Sequence, residues 1–219
     1  MKAGKKTAAL ILASAMLLGA ALWTGYQRSL DTGSPDGAAR TLYKTLPQPV
    51  SLTELVLAEG ISGENTVRLI MESGTYFDSD NAPPGGGIGE DNYQGDFRLE
   101  VQKDGKPVSS LELGSLLFNG TFSLVFDDYN DDGSPDFSVG QWAGSNYNAF
   151  SLYSLDKDGQ LSSLGEIMTS EGKGENDGSL LFSHKNGVIS TRLYDQNTGK
   201  MTDVSYVWNS GENRFGRES

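Results

Sequence analysis

The sequence predicts an all-β protein, an antiparallel meander of hairpins behind an N-terminal hydrophobic segment. Three observations predict it. From Val50 onward apolar residues alternate with polar ones in short runs, the period of a strand with one buried face. Glycine-bearing turns separate the runs, drawn from 28 glycines in 219 residues. No segment beyond the N-terminal one sustains the periodicity of a long helix. The nearest candidate is Ser51-Leu52-Thr53-Glu54, a capping-box pattern ahead of Leu55, Val56 and Leu57, but Gly60 would limit it to about two turns, and a strand is preferred there.

Residues 1–28 read as an export signal, either cleaved or kept as a membrane anchor. Lys2, Lys5 and Lys6 precede a stretch without charge from Thr7 to Gln27. Its apolar heart, Ala8 to Leu22, is 15 residues long, short of the roughly 20 that a spanning helix needs. Trp23 and Tyr26, counted as an interfacial belt, extend it to 19 and favour an anchor, whereas Gly19 and Ala21 suit cleavage after Ala21. Either way the lysines keep the N-terminus inside and the rest of the chain is expected outside the cytoplasm. Residues 29–49, with Gly33, Pro35, Gly37, Pro47 and Pro49, read as a flexible tether.

The remaining residues, 50–219, form one expected β domain. Val67, Leu69 and Met71 should share one face, and Phe97, Leu99 and Val101 another, with Lys103-Asp104-Gly105-Lys106 turning that strand into Leu111 and Leu113. A strand over Thr121 to Phe126 points Phe122, Leu124 and Phe126 one way. Phe150 and Leu152 lead to the turn Lys157-Asp158-Gly159, and strands from Val188 to Tyr194 and from Val204 to Trp208 flank Asn197-Thr198-Gly199. Between two of the strands lies Asp78 to Tyr93, with two prolines, four glycines and acids at both ends. No Lys-Ser/Thr follows its glycines, so it is not a phosphate cradle; a long mobile insertion is expected rather than a binding lid.

Composition removes whole classes of function. A hydrophobic fraction of 37% with 10% aromatics is too rich for a disordered chain. Without Cys there is no disulfide, zinc ribbon, iron–sulfur cluster, thiolate nucleophile or lipid-bearing lipobox. A single His, His184, leaves no multi-histidine metal site; in its turn-like setting, Ser183 to Gly187, a solvated residue is expected. The chain carries 17 basic against 29 acidic residues, and without Lys2, Lys5 and Lys6 the balance is 14 against 29, or −15, which argues against nucleic acid as a partner.

The most specific pattern is Asp128-Tyr129-Asn130-Asp131-Asp132-Gly133-Ser134-Pro135-Asp136. With Asp128 as position one, side-chain oxygens fall at positions one, three, five and nine, a glycine at six and the Ser134 carbonyl at seven. Calcium takes six to eight oxygens, and a chain wrapping one ion presents alternate side chains only if it turns sharply midway. The expected ligands are therefore Asp128, Asn130, Asp132, Ser134 and Asp136, and the expected cofactor is Ca2+. Three carboxylates against a divalent ion leave the shell at −1, so the ion should order the loop. Asp127 and Asp131 fall outside this register, facing solvent or tuning the field. Position twelve is Val139 rather than a bidentate Glu, and the flanks read as strands, so this is not a helix–loop–helix hand.

Strand, Asp-rich loop and strand together resemble the calcium loops of FG-GAP repeats in integrin-type propellers. The wider segment, with Gly144-Ser145-Asn146-Tyr147 and Leu152-Tyr153-Ser154-Leu155-Asp156-Lys157-Asp158-Gly159-Gln160-Leu161, is similar to the calcium-binding lysozyme-inhibitor-like lipoproteins of bacterial periplasms, over about 35 residues. That resemblance implies a small half-propeller-like domain that binds calcium and blocks a peptidoglycan hydrolase. The chain departs from it in lacking a lipobox Cys. A sandwich is the alternative architecture, and a complete seven-bladed propeller does not fit the length.

The functional expectation is a non-catalytic, calcium-binding module at the bacterial cell surface. An inhibitor or immunity protein against a basic peptidoglycan hydrolase is the alternative, since net negative charge would steer such a partner. A carboxylate-pair glycoside hydrolase is the third and weakest. Trp142, Asn146 and Tyr147 are expected either at an exposed contact surface or, for Trp142, in the core; Trp208, alternating with Tyr206 and Val204, is expected in the core.

Overall fold

The computed structural model describes residues 49–87, 89–144, 146–171 and 178–218. The expected signal or anchor and nearly all of the tether lie outside the described residues. The chain divides into two units, Met1–Val50 and Ser51–Ser219, and the strands fall almost wholly in the second. Among the described residues every regular element is a strand, so the protein is all-β as the alternation requires.

The first sheet holds β1 (Val50–Ser62), β2 (Asn65–Phe77), β3 (Asn92–Lys103), β4 (Lys106–Asn119) and the two-residue β5 (Phe122–Ser123), in the order β4-β3-β2-β1-β5. Alternation decides its inner face. Val67, Leu69 and Met71 of β2 stand opposite Val101, Leu99 and Phe97 of β3, and all six are fully buried. Asp104 at φ 52 and Gly105 at φ 70 make the tight turn into β4; both central residues of such a turn need positive φ, which Asp-Gly supplies. The Ser51–Glu54 segment is a strand, with Leu57 and Ala58 buried further along it and Glu54 itself at φ 54.

The second sheet runs β6 (Phe126–Asp127), β7 (Asp136–Gly144), β8 (Tyr147–Leu155), β9 (Leu161–Thr169), and the third β10 (Ser183–Lys185), β11 (Val188–Asp195), β12 (Lys200–Asn209), β13 (Arg214–Arg217). Both are antiparallel meanders. A shared core fills the space between them: Phe150 and Leu152 of β8 and Leu164 and Ile167 of β9 pack with Ile189, Val204, Tyr206 and Phe215 of the third sheet, and with Tyr129 and Phe182 from the connecting segments. Trp208 is half-buried against this core, its ring 5.2 Å from that of Phe215. The first two sheets meet where the Ser109 hydroxyl donates to the Gly159 carbonyl and the Leu117 N–H to Gln141 Oε1 at 3.2 Å.

The run Thr121 to Phe126, expected as one strand, is two. Phe122 and Ser123 pair parallel with Ala58 and Glu59, the Leu124 N–H donates to the Glu59 carbonyl at 3.0 Å, and Phe126 then opens β6 in the second sheet. The two ends meet different rings: Phe122 packs on Phe118 with ring centroids 5.5 Å apart, and Phe126 on Phe137 at 5.3 Å. Alternation along the chain looks the same whether a strand continues or changes sheet.

The Asp78–Tyr93 segment, expected as a mobile insertion, is shaped by its own hydrogen bonds. Asn92 Oδ1 accepts from the Gly87 N–H at 2.8 Å, and its Nδ2 donates to the carbonyls of Gly87 at 3.1 Å and Glu90 at 2.7 Å. The Gly86 N–H closes a turn onto the Pro83 carbonyl at 2.9 Å and the Gly89 N–H reaches the Ser79 carbonyl at 3.2 Å. With Asn92 fully buried, the glycine stretch is held against the end of the first sheet.

Candidate functional site

The Asp-rich loop joins β6 to β7, and the pairing of Asp127 with Asp136 closes its base. Inside it the short polar side chains bond to the backbone ahead of them, as Asp and Asn do in turns. Asp128 Oδ1 accepts from the Asp132 N–H at 3.0 Å and its Oδ2 from the Gly133 N–H at 2.9 Å. Asn130 Oδ1 accepts from the Asp132 N–H at 3.2 Å, and its Nδ2 donates to Asp132 Oδ2 at 2.9 Å. Asp132 Oδ1 takes the Ser134 N–H at 2.7 Å. The turn needs left-handed backbone at Asp131, φ 59, and at Gly133, φ 84; a side chain at Gly133 would meet open space, so conformation alone demands glycine there.

Asp128, Asn130 and Asp132 are thus brought together, with Ser134 bonded to the last of them. Asp136 stands at the start of β7, fully buried, and its Oδ2 accepts the Tyr129 N–H at 3.0 Å. Its Oδ1 is buried and has no hydrogen-bond partner. The Ser154 side chain, opposite on β8, favours the charged form through its hydrogen bonding to the carboxylate. Burial pushes the Asp136 carboxyl up to about 6; Ser154 and the Tyr129 N–H offset part of this, and the negative charges of Asp132 and Asp128 add to it. Asp132 behaves differently. Burial raises it, but the Ser134 N–H, the Asn130 amide and the Ser134 hydroxyl together hold it below the usual carboxylate range.

As the side chains stand, no group of three or more His, Cys, Asp or Glu among the described residues converges closely enough to hold a metal ion. The reason is visible in the loop: the carboxylates of Asp128 and Asp132 are turned onto backbone N–H groups. Each carboxylate oxygen carries two lone pairs, so those bonds do not exhaust the donor set. The set is oxygen only, which suits a hard cation. The orphaned Asp136 Oδ1 is the place where a cation would replace a missing partner.

The structure adds residues that the spacing did not reveal. His184, expected to be solvated, is half-buried on β10 beside the loop: its Nε2 lies 3.2 Å from Asp127 Oδ2 and its ring stands edge-on to Tyr129 with centroids 5.4 Å apart. The Tyr129 ring is buried, and its hydroxyl donates to the Leu180 carbonyl at 3.0 Å, tying the loop to the segment before β10. A buried aromatic at position two was the available signal, because that residue must point away from the ligand register. Trp142 is 60% exposed, which settles the choice left open for it against the core, and Tyr147 is 36% exposed.

Elsewhere, Arg98 on the outer face of the first sheet bonds Glu54 from β1 at 3.0 Å, Glu72 from β2 at 2.9 Å and Glu100 from its own strand at 3.4 Å. This cluster knits strands together, and its acids are engaged with the guanidinium.

Set against family models, curated proteins and solved structures, the chain matches none.

Proposed function

We propose that Asp128–Asp136 binds calcium through the side chains of Asp128, Asn130, Asp132 and Asp136 and the Ser134 carbonyl, and that the chain is a calcium-stabilised, non-catalytic binding module working outside the cytoplasm. The observation that carries this reading is the buried, unpartnered Asp136 Oδ1 at the base of a loop that also carries Asp128 and Asp132, whose charges reach it. A buried acceptor left without a partner costs about 1–3 kcal/mol, more when charged, and a divalent cation removes that cost. The ion would supply the positive charge that lets three carboxylates share one loop.

Three consecutive sheets, antiparallel apart from the short β1–β5 pair and each packed on the next in chain order, favour a half-propeller-like arrangement over a two-layer sandwich. The extracytoplasmic placement rests on the lysines and the apolar stretch of residues 1–28. Inhibition of a basic peptidoglycan hydrolase is the second reading, favoured by the acid surplus of the exported part.

The deciding experiment is thermal melting of the full chain with and without millimolar calcium. Extracellular modules bind at roughly 10⁻⁴–10⁻³ M, so the titration must cover that range. A calcium-dependent rise in melting temperature is expected; identical melting with and without calcium sinks the reading.

A further inference from the structure

Both residues that close the Asp-rich loop are tied to one segment outside it. Asp127 and Asp136 are cross-strand partners at the loop's base. His184 Nε2 lies 3.2 Å from Asp127 Oδ2, and Asp127 Oδ1 accepts the N–H of Asp128, the first proposed ligand, at 3.0 Å. Asp136 Oδ2 accepts the Tyr129 N–H at 3.0 Å. The Tyr129 ring then leaves the loop between Asp128 and Asn130, packs on Phe182 and His184, and donates its hydroxyl to the Leu180 carbonyl.

These contacts converge on residues 178–185, which are laced to the strands on either side of the loop. The Val125 N–H, directly before β6, donates to Ser179 Oγ at 3.2 Å, and the Gly140 N–H of β7 to the Gly178 carbonyl at 2.8 Å. The Ser138 hydroxyl, also on β7, accepts the Leu180 N–H at 3.0 Å and donates to the Leu180 carbonyl at 3.2 Å. Phe182 is itself part of the core between the second and third sheets, and β10 follows it. An ion that fixes Asp128, Asn130 and Asp136 fixes the Tyr129 main chain among them, and with it the ring and hydroxyl that hold the segment. Order imposed at one end lowers the entropy loss at the other, so the two strengthen each other.

We infer that Tyr129 and His184 are positioning residues of the calcium site: they clasp residues 178–185 to the loop, so that filling the site tightens the junction of the second and third sheets and loosening the clasp weakens calcium binding in return. The inference rests on the calcium reading of Asp128–Asp136 and adds what occupancy of that site controls.

Hydrogen exchange read by mass spectrometry, with calorimetric calcium titration, tests it on the full chain. In the wild type, calcium is expected to slow exchange in residues 178–185 more than in β2 and β3, whose slowing measures overall stabilisation. Tyr129→Phe keeps the ring and removes the hydroxyl; it should weaken calcium binding about five-fold and shrink the selective slowing. His184→Ala should act in the same direction, and His184→Gln, which keeps an N–H donor, should recover part of the loss. A merely structural role would lower the melting temperature in chelator while calcium affinity and selective slowing stayed at wild-type values. That result overturns the inference, as does slowing in residues 178–185 no greater than in β2 and β3. Calcium heat without selective slowing leaves the calcium site standing while the clasp fails; absence of calcium heat in the wild type removes the site and the clasp with it.

Discussion

The main-chain N–H of Tyr129 donates to Asp136 Oδ2 at 3.0 Å, so the second residue of the loop holds its ninth. The bond fixes the carboxylate at the foot of β7 with its other oxygen buried and without a hydrogen-bond partner. Tyr129 is in turn packed beneath the loop against Phe182, ring centroids 5.9 Å apart, and against His184. The acid cluster is therefore anchored from the protein's interior rather than by its own bonds alone.

Removing a ligand should separate binding from folding. Asp128→Ala and Asp132→Ala, whose side chains bond within the loop, are expected to fold and to lose the calcium-dependent rise in melting temperature. Retention of the full rise by both variants, read by scanning calorimetry, counts against the ligand set.

Asp136 predicts opposite pH trends with and without calcium. Its carboxyl is raised to about 6 from an ordinary 3.8, so without calcium the folded state keeps a proton that the unfolded state has lost between those values. That contribution to stability is present at low pH and is lost as pH rises through about 6. Calcium needs the ionised form, so its apparent affinity should rise over the same interval. Melting curves across this range, with chelator and with calcium, check both signs; Asp136→Asn should remove both dependences.

Gly133→Ala places a Cβ at φ 84, where the obstacle is conformational rather than a clash. A loss of about 1–2 kcal/mol is expected in urea unfolding, together with weaker calcium response, because the turn positions the ligands on both sides.

Phe150 is fully buried between the second and third sheets, its ring 5.3 Å from Phe182. Phe150→Ala should cost about 3–5 kcal/mol. Hydrogen exchange should show the strands of both sheets losing protection together; loss confined to the second sheet would contradict a shared core.

Arg98→Ala leaves Glu54, Glu72 and Glu100 facing one another without their cation. The expected cost is about 1–2 kcal/mol, held down by the exposure of Glu54. Arg98→Lys should recover little, since a single ammonium lacks the planar fork that serves three carboxylates. Equilibrium unfolding of the two variants provides the comparison.

Local rules wrote most of the fold into the sequence. Alternation placed Val67, Leu69, Met71, Phe97, Leu99 and Val101 on buried faces, and Asp104-Gly105 and Asn197-Thr198-Gly199 marked hairpin turns, because strand period and turn chemistry depend on near neighbours. The same locality made the Asp128–Asp136 spacing legible, together with the need for glycine at its centre. What only the tertiary structure decided depends on residues distant in the chain. The change of sheet between Phe122 and Phe126 is set by which strands they pair with, the setting of His184 by Asp127 and Tyr129, and the exposure of Trp142 by the hairpin tip that carries it. Asp136 shows the division most clearly: its place in the loop is read from spacing, but its orphaned oxygen and raised carboxyl arise from burial, which no local pattern records.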